Sequence, residues 1–202
     1  MALLQHTYNG SLTREQFLFF ETRITAKLML NGASDDEIID EIVQENLFQY
    51  PTEKMIRNLA GVCVRRLRGL EDMNLVDGIA NDAVDVAKQV CLYAMMKDSR
   101  LLSEFMVTVI GEKYRTRDFS FDPSDLNLFF ARLQEQDEHV AGWSDSTIQK
   151  IKSVIKNVLR ENGYIDTVRS KELNLVLIEP VLEEAIRGNN ETELLPAFNC
   201  FK

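Results

Sequence analysis

The segment Ser144–Ile178 carries residue types that bind nucleic-acid phosphates. Ser144 is a good helix N-cap, and the residues after it predict an amphipathic helix that ends near Asn162-Gly163. This helix has no acidic residue between Asp145 and Glu161, and at 1.5 Å per residue it is about 25 Å long. The candidate contact residues on it are Gln149, Lys150, Lys152, Lys156, Asn157 and Arg160. Because such side chains bond phosphates and base edges, the pattern predicts a helix that contacts a duplex. The alternative is an ordinary solvated helix face.

Two short strands are predicted after this helix, at 164–168 and 172–178. In the second strand, Leu173, Leu175 and Leu177 alternate with Asn174 and Val176, which is the pattern of a β-strand. A helix followed by a strand pair is the order found in a winged helix-turn-helix, and Arg169 and Lys171 would lie near the tip of the pair.

A second basic stripe is predicted on the helix that contains Lys54–Arg68. Lys54, Arg57, Arg65 and Arg68 share one face of this helix, and arginine favours bidentate contact with phosphate. Gly61, in the middle of the stripe, would let a backbone approach closely. The alternative is that the stripe forms ion pairs with acids of the following helix, for example Asp72 or Asp77.

A third basic group is the loop with Lys113, Arg115 and Arg117. These side chains could contact a nucleic-acid backbone, but capping of the C-terminus of the preceding helix is the favoured interpretation.

Residues that could perform catalysis are sparse. Cys63, Cys91 and Cys200 are far apart and have no zinc-binding spacing, and the only histidines are His6 and His139. The chain has neither a phosphate-binding GxxxxGK[ST] loop nor a GxGxxG motif. We therefore expect a non-enzymatic protein with no metal, no cofactor and no small-molecule substrate.

The overall composition limits the class of protein. The chain has 202 residues, of which 45% are hydrophobic and 27% charged, so it can form a core. The net charge is −9, so any attraction to nucleic acid must come from local patches. No signal peptide or membrane span is recognisable, and we expect a cytoplasmic protein with reduced thiols.

The hydrophobic periodicity is almost entirely helical. It predicts a mainly α fold with a helical bundle over residues 1–118 and a winged-helix-like part over residues 119–202, which contains the short strand pair. The expected bundle centre is one long helix, Asp72–Lys97. The predicted helices are 13–30, 34–43, 51–70, 72–97, 99–113, 122–136, 144–162 and 180–188. The tail 189–202 is expected to be loosely structured.

Several segments of the sequence resemble the BrxA family of BREX bacteriophage-exclusion systems. They include SDDEIIDEIVQENLFQYPTEKMIRNL, RRLRGL, AMMKDSRLLSEFM and WSDSTIQKIKSVIKNVLRENGYI. The resemblance covers residues 8–186 and implies a mainly helical, DNA-binding accessory protein of phage defence, with likeness to the antitermination factor NusB. It implies no catalytic residue, because the family has no agreed catalytic motif.

These observations predict a component of a BREX complex that binds double-stranded DNA and has other BREX proteins as partners. Two alternatives stay open: a NusB-like RNA-binding factor, and a protein-interaction scaffold whose basic faces meet acidic partners.

Overall fold

A computed structural model describes residues 7–201, and within this range the chain forms eleven α-helices and no β-strand. The predicted mainly α class is therefore confirmed. The helices are α1 (Phe19–Leu30), α2 (Asp35–Gln44), α3 (Glu53–Gly69), α4 (Met73–Asn81), α5 (Val84–Asp98), α6 (Arg100–Phe105), α7 (Glu112–Thr116), α8 (Pro123–Gln136), α9 (Glu138–Ala141), α10 (Asp145–Glu161) and α11 (Pro180–Gly188).

The chain divides into two compact units. One unit is Phe17–Asp98, which contains α1 to α5, and we call it the five-helix unit. The described part of the other comprises residues 7–16 and 99–201, and we call it the α10 unit. This division differs from the boundary between residues 118 and 119 drawn from the sequence, because the segment Arg100–Thr116 packs with the C-terminal residues.

Local capping explains where several helices begin. Ser34 accepts a hydrogen bond from the backbone N–H of Glu37, whose carboxylate accepts one from the N–H of Ser34, so the predicted capping box of α2 is present. Thr52 caps α3 through the N–H of Met55. In the five-helix unit, α1 and α3 pack on each other, and both contact α2 and α5.

The helix predicted to start at Thr13 begins only at Phe19. Thr13 lies in a short 3-10 turn, Ser11–Thr13, that packs against α10. Because the chain passes from one unit to the other after Gln16, one continuous helix over 13–30 is not formed. Leu18 has a left-handed backbone conformation and ends the crossing segment.

The long helix predicted over Asp72–Lys97 is interrupted at Asp82, where the backbone is extended. The interruption leaves carbonyl groups without helical partners. Arg23 satisfies two of them: its Nε donates to the carbonyl of Ala80 at 3.2 Å, and its Nη2 donates to that of Asp82 at 2.8 Å. Residues 73–98 therefore form two helices that pack on each other, rather than one central helix.

In the α10 unit, Asp122 caps α8 and Pro123 occupies its first turn, as the sequence predicts. The helical segment 100–116 contains a π-helical stretch at Met106–Gly111. Gly111 is in close contact with the tail, since a Cβ added to it would lie 2.8 Å from the Cβ of Pro196.

The tail prediction was wrong. Residues Thr192–Phe198 form a 3-10 helix in which Leu194, Leu195 and Phe198 are buried. The hydroxyl of Tyr164, itself buried, donates to the carbonyl of Ala197 at 2.9 Å. The tail is therefore part of the hydrophobic core of the α10 unit.

The predicted strand pair 164–168 and 172–178 is not formed within the described residues. The one antiparallel bridge nearby joins Ser120 to Glu172, so 171–173 pairs with 119–121 instead. Nor do the alternating leucines share one buried face: Leu173 is buried, but Leu175 and Leu177 are 65% and 78% exposed, and Val176 between them is buried. This segment therefore does not form the strand pair of a winged helix.

Candidate nucleic-acid interface

Helix α10 is the most strongly amphipathic basic element of the chain. Ser144 accepts a hydrogen bond from the N–H of Thr147 at the start of the helix, and Asn162-Gly163 ends it, as predicted. The buried side chains on its apolar face are Ile148, Ile151, Val154, Ile155, Val158 and Leu159. Because this face is buried in the core, the polar face of α10 points away from the core.

Gln149, Lys150 and Asn157 are exposed on that polar face, and Lys156 is half-buried. Within residues 7–201, neither Lys150 nor Lys156 forms an ion pair. These two ammonium groups are therefore available to an external anion at no cost in broken contacts. Arg160 is exposed at the C-terminal end of the face and is paired with the neighbouring Glu161.

Lys152 differs from the other lysines of α10, because it lies beside the apolar face. Its Nζ donates to Oδ1 of Asn127 on α8 at 2.8 Å and lies 5.4 Å from the ring centre of Phe130. Partial burial, together with the charge of Lys156, lowers the pKa of Lys152. Lys152 therefore connects α8 to α10 as well as adding positive charge to the surface.

The basic stripe on α3 is engaged in internal ion pairs. Arg57 lies 2.9 Å from Asp40, Arg68 lies 2.7 Å from Asp35, and Arg65 makes a bidentate contact with Asp98. The sequence named Asp72 and Asp77 as candidate partners, but the acids that pair with these arginines lie on α2 and α5.

The two other features of this stripe face open space. Lys54 is exposed at the first turn of α3 and forms no ion pair with any described residue. A Cβ added to Gly61 would meet no atom of another element within 4 Å in the part of the chain that the structure describes.

Arg66 is a charged core residue that the sequence analysis did not single out. Its side chain is 2% exposed, lies 3.3 Å from Asp98 and also contacts the carbonyl of Phe17. Burial alone would raise the pKa of Asp98, but hydrogen bonds and charge from Arg65 and Arg66 lower it. In the motif RRLRGL the second arginine, Arg66, falls on the apolar face of α3. Its position on that face is the sequence feature that could have predicted a buried arginine.

In the third basic group, Lys113 and Arg115 form ion pairs with nearby carboxylates, and within the described residues neither is seen to cap a helix C-terminus as the sequence favoured. Lys113 is 12% exposed and lies 3.0 Å from both Asp118 and Asp125. Burial acts to lower the pKa of Lys113, but the hydrogen bonds to the two carboxylates raise it overall. Arg115 is bonded to Glu112 of its own helix.

The segment after α10 is a fixed loop. Asn174 donates its backbone N–H to the carbonyl of Tyr164 at 2.8 Å, and Thr167 and Ser170 close a turn at the far end. Arg169 and Lys171 are exposed on this loop. The loop therefore presents two further cations on the surface of the α10 unit.

The groups that could serve catalysis are buried or isolated. Cys63 and Cys91 lie in the core of the five-helix unit, and burial raises the pKa of both thiols, that of Cys63 to about 11. His139 is exposed with its ring against Trp143, and His6 lies outside the described residues. Within residues 7–201, no cluster of three or more His, Cys, Asp or Glu side chains is arranged to hold a metal ion. In the same range, no helix has the length and apolar character to cross a membrane.

Fold and site together define a helical protein of two units, one of which presents a basic helix to its surface. A sequence model of the BrxA family matches residues 6–190, which is most of the chain. The chain therefore belongs to the BrxA family.

Similar proteins agree with this assignment. Relatives named "BREX protein BrxA" come from Bacillus cereus, with 31% identity over 91% of this chain and 92% of theirs, and from Paramagnetospirillum magneticum, with 26% identity over 85% of each chain. A crystal structure titled as an uncharacterized protein from Magnetospirillum magneticum has a TM-score of 0.81, with 24% identity over 95% of this chain and 97% of that one. That likeness establishes the fold alone.

Proposed function

We propose that this BrxA-family chain is a non-enzymatic component of a BREX phage-defence system that binds double-stranded DNA through the polar face of α10. Its relatives carry BREX in their names, which supports a role beside other BREX proteins. The observation that carries the proposal is the polar face of α10, which has no acidic residue between Asp145 and Glu161 and bears two lysines, Lys150 and Lys156, that no acid of residues 7–201 neutralises.

The dimensions of α10 suit a duplex. Seventeen residues give a helix about 25 Å long, and the major groove of B-DNA, about 12 Å wide, admits one α-helix. Lys150 and Lys156 are placed to contact phosphates on the groove walls. Gln149 and Asn157 bring amides, which bond adenine edges in a bidentate way.

The α3 stripe is a weaker candidate than α10. For Arg57, Arg65 or Arg68 to bind a phosphate, each must first leave a carboxylate that already neutralises it. Replacing a carboxylate by a phosphate gains little binding free energy. Lys150 and Lys156, in contrast, give up only water and salt ions when they bind a phosphate. We therefore assign the main contact to α10 and a flanking contact to Arg169 and Lys171 of the loop that follows.

The test is a fluorescence anisotropy titration of a labelled DNA duplex with native protein and with Lys150→Glu/Lys156→Glu. The matched control is Lys27→Glu/Lys54→Glu, which makes the same charge change at exposed positions of α1 and α3. The proposal expects binding to be lost in the first variant and kept in the control. Equal loss in both variants would show that net charge, not α10, governs binding.

The same titration separates DNA from RNA. Unlabelled duplex DNA, single-stranded RNA and an RNA hairpin are added as competitors at equal nucleotide concentration. Our proposal expects the DNA duplex to compete best, since A-form RNA has a deep, narrow major groove that side chains cannot read. Stronger competition by either RNA would replace the proposal with a NusB-like RNA-binding function.

A further inference from the structure

The α10 unit exposes a short apolar strip in the segment that leads into α11. Leu175 and Leu177 are 65% and 78% exposed, and Val181 in the first turn of α11 is 43% exposed. Their neighbours Leu173, Val176 and Leu182 are buried. Alternating burial of this kind places Leu175 and Leu177 on the same side of the segment, about 6.6 Å apart if it is extended. We call these three exposed residues the leucine strip.

The backbone below the leucine strip is held in place, so the strip cannot turn inward. The N–H of Leu173 donates to the carbonyl of Phe119 at 2.7 Å, and the hydroxyl of Tyr114 donates to the carbonyl of Asn174 at 2.6 Å. The side-chain amide of Asn199 donates to the carbonyl of Val176 at 3.3 Å. These groups come from residues 20 to 60 positions away, so the exposure of the two leucines is a property of the folded unit.

The same hydrogen bonds decide how a partner can bind. The N–H groups of Leu173 and Asn174 and the carbonyls of Asn174 and Val176 are already bonded, so an added strand would meet an interrupted edge. We therefore expect a partner to pack side chains onto the strip, as a helix does on a small apolar surface.

The charge around the leucine strip is acidic. Glu172 and Glu184 are exposed before and after it in the sequence and form no ion pair with residues of the described part of the chain, while the exposed Lys171 beside Glu172 adds one positive charge. Glu179 lies between Leu177 and Val181. Arg187, on the same helix as Glu184, is bonded to Glu183. A partner that covers the strip therefore meets an apolar centre with carboxylates at its rim.

We propose that the leucine strip is a docking surface for a partner protein, which binds through an amphipathic helix whose apolar face is flanked by lysine or arginine. An acidic rim attracts such a helix and disfavours an acidic one. The proposal does not depend on DNA binding, because the strip and the polar face of α10 share no residue.

The test uses two synthetic helical peptides of about three heptads, both with leucine at the core positions. One carries lysine at the flanking positions and the other carries glutamate. Binding of each labelled peptide to the native protein, to Leu175→Ser/Leu177→Ser and to Phe20→Ser/Leu128→Ser is measured by fluorescence anisotropy. The last variant is the matched control, because Phe20 and Leu128 are 74% and 59% exposed elsewhere in the chain.

The proposal expects the lysine peptide to bind the native protein and the control variant equally, and Leu175→Ser/Leu177→Ser roughly tenfold or more weakly. Equal binding to all three proteins, or tighter binding of the glutamate peptide, would overturn it. A native dimer that dissociates in Leu175→Ser/Leu177→Ser, seen by sedimentation, would also overturn it in favour of a second copy of this chain. Glu172→Lys/Glu184→Lys gives an independent check, since it should reverse the preference between the two peptides.

Discussion

The salt dependence of DNA affinity gives a quantitative test of the role of α10. The helix carries four cations, Lys150, Lys152, Lys156 and Arg160. If each contacts one phosphate, α10 contributes about −3.6 to the slope of log K against log salt, since each contact contributes about −0.9, and the flanking contacts of Arg169 and Lys171 add to this slope. The α10 contacts alone then lower the affinity about 150-fold for a fourfold rise in salt, from about 50 to about 200 mM.

Removal of two of these contacts has a defined effect on the slope. In Lys150→Gln/Lys156→Gln the slope is expected to be less steep by about 1.8, so the loss of affinity over the same rise in salt is about 12-fold smaller than in the native protein. Glutamine retains part of the side-chain stem and removes the charge. Lys150 and Lys156 are the appropriate pair because neither has an internal acidic partner within the described residues, whereas Lys152 also bonds Asn127.

Isothermal titration or anisotropy at four or five salt concentrations provides both slopes. Lys27→Gln/Lys54→Gln serves as the control and should keep the native slope. Parallel slopes for the native protein and Lys150→Gln/Lys156→Gln would refute the assignment to α10. A slope reduced only in the control would move the contact to the five-helix unit.

Three further predictions concern stability, each measured by chemical unfolding. Asp98→Asn should lower the free energy of unfolding by about 3 kcal/mol, because it removes the carboxylate that lies 3.3 Å from the buried Arg66. The pKa of Asp98 is lower in the folded chain than in the unfolded chain. The ionised carboxylate therefore stabilises the fold at any pH above the ordinary carboxyl pKa, and this stabilisation is lost as the pH falls through the lowered pKa of the folded chain. The free energy of unfolding should therefore fall more steeply with decreasing pH in the native protein than in Asp98→Asn. The same pH dependence in both proteins would contradict this reasoning. Gly111→Ala should destabilise the protein, because the added Cβ would lie 2.8 Å from the Cβ of the proline in the terminal 3-10 helix. Gly61→Ala should instead stabilise it by about 0.5–1 kcal/mol, because the added Cβ faces open space. If Gly111→Ala proved stabilising, the tail would have to move aside. Phe198→Ala should cost about 3–5 kcal/mol if the tail belongs to the core, and a change below about 1 kcal/mol would indicate that it does not.

The features that could be predicted from sequence are those set by a few neighbouring residues. The capping box of Ser34 and Glu37, the Asp122-Pro123 start of α8 and the bounds of α10 all depend on side chains within one helical turn. The mainly α class follows from the same local periodicity.

The features that could not be predicted depend on distant partners. The alternation Leu173, Leu175, Leu177 looks like a strand with one inward face, but hydrogen bonds from residues 20 to 60 positions away bury Val176 instead of Leu175 and Leu177. In the same way, the interruption at Asp82 is stabilised by Arg23, nearly sixty residues earlier in the chain. No local pattern carries this information.

The candidate site shows the same dependence on distant partners. Both α3 and α10 have a basic face in the sequence, and a helical wheel ranks them almost equally. The structure distinguishes them, because carboxylates of α2 and α5 neutralise the arginines of α3, while no described acid pairs with Lys150 or Lys156 of α10. In a chain with a net charge of −9, acidic residues outnumber basic ones, so most basic residues can find an internal acid. Binding to a polyanion therefore depends on which basic side chains the fold leaves without an acidic neighbour. Neither the number of basic residues nor the net charge of the chain identifies those side chains.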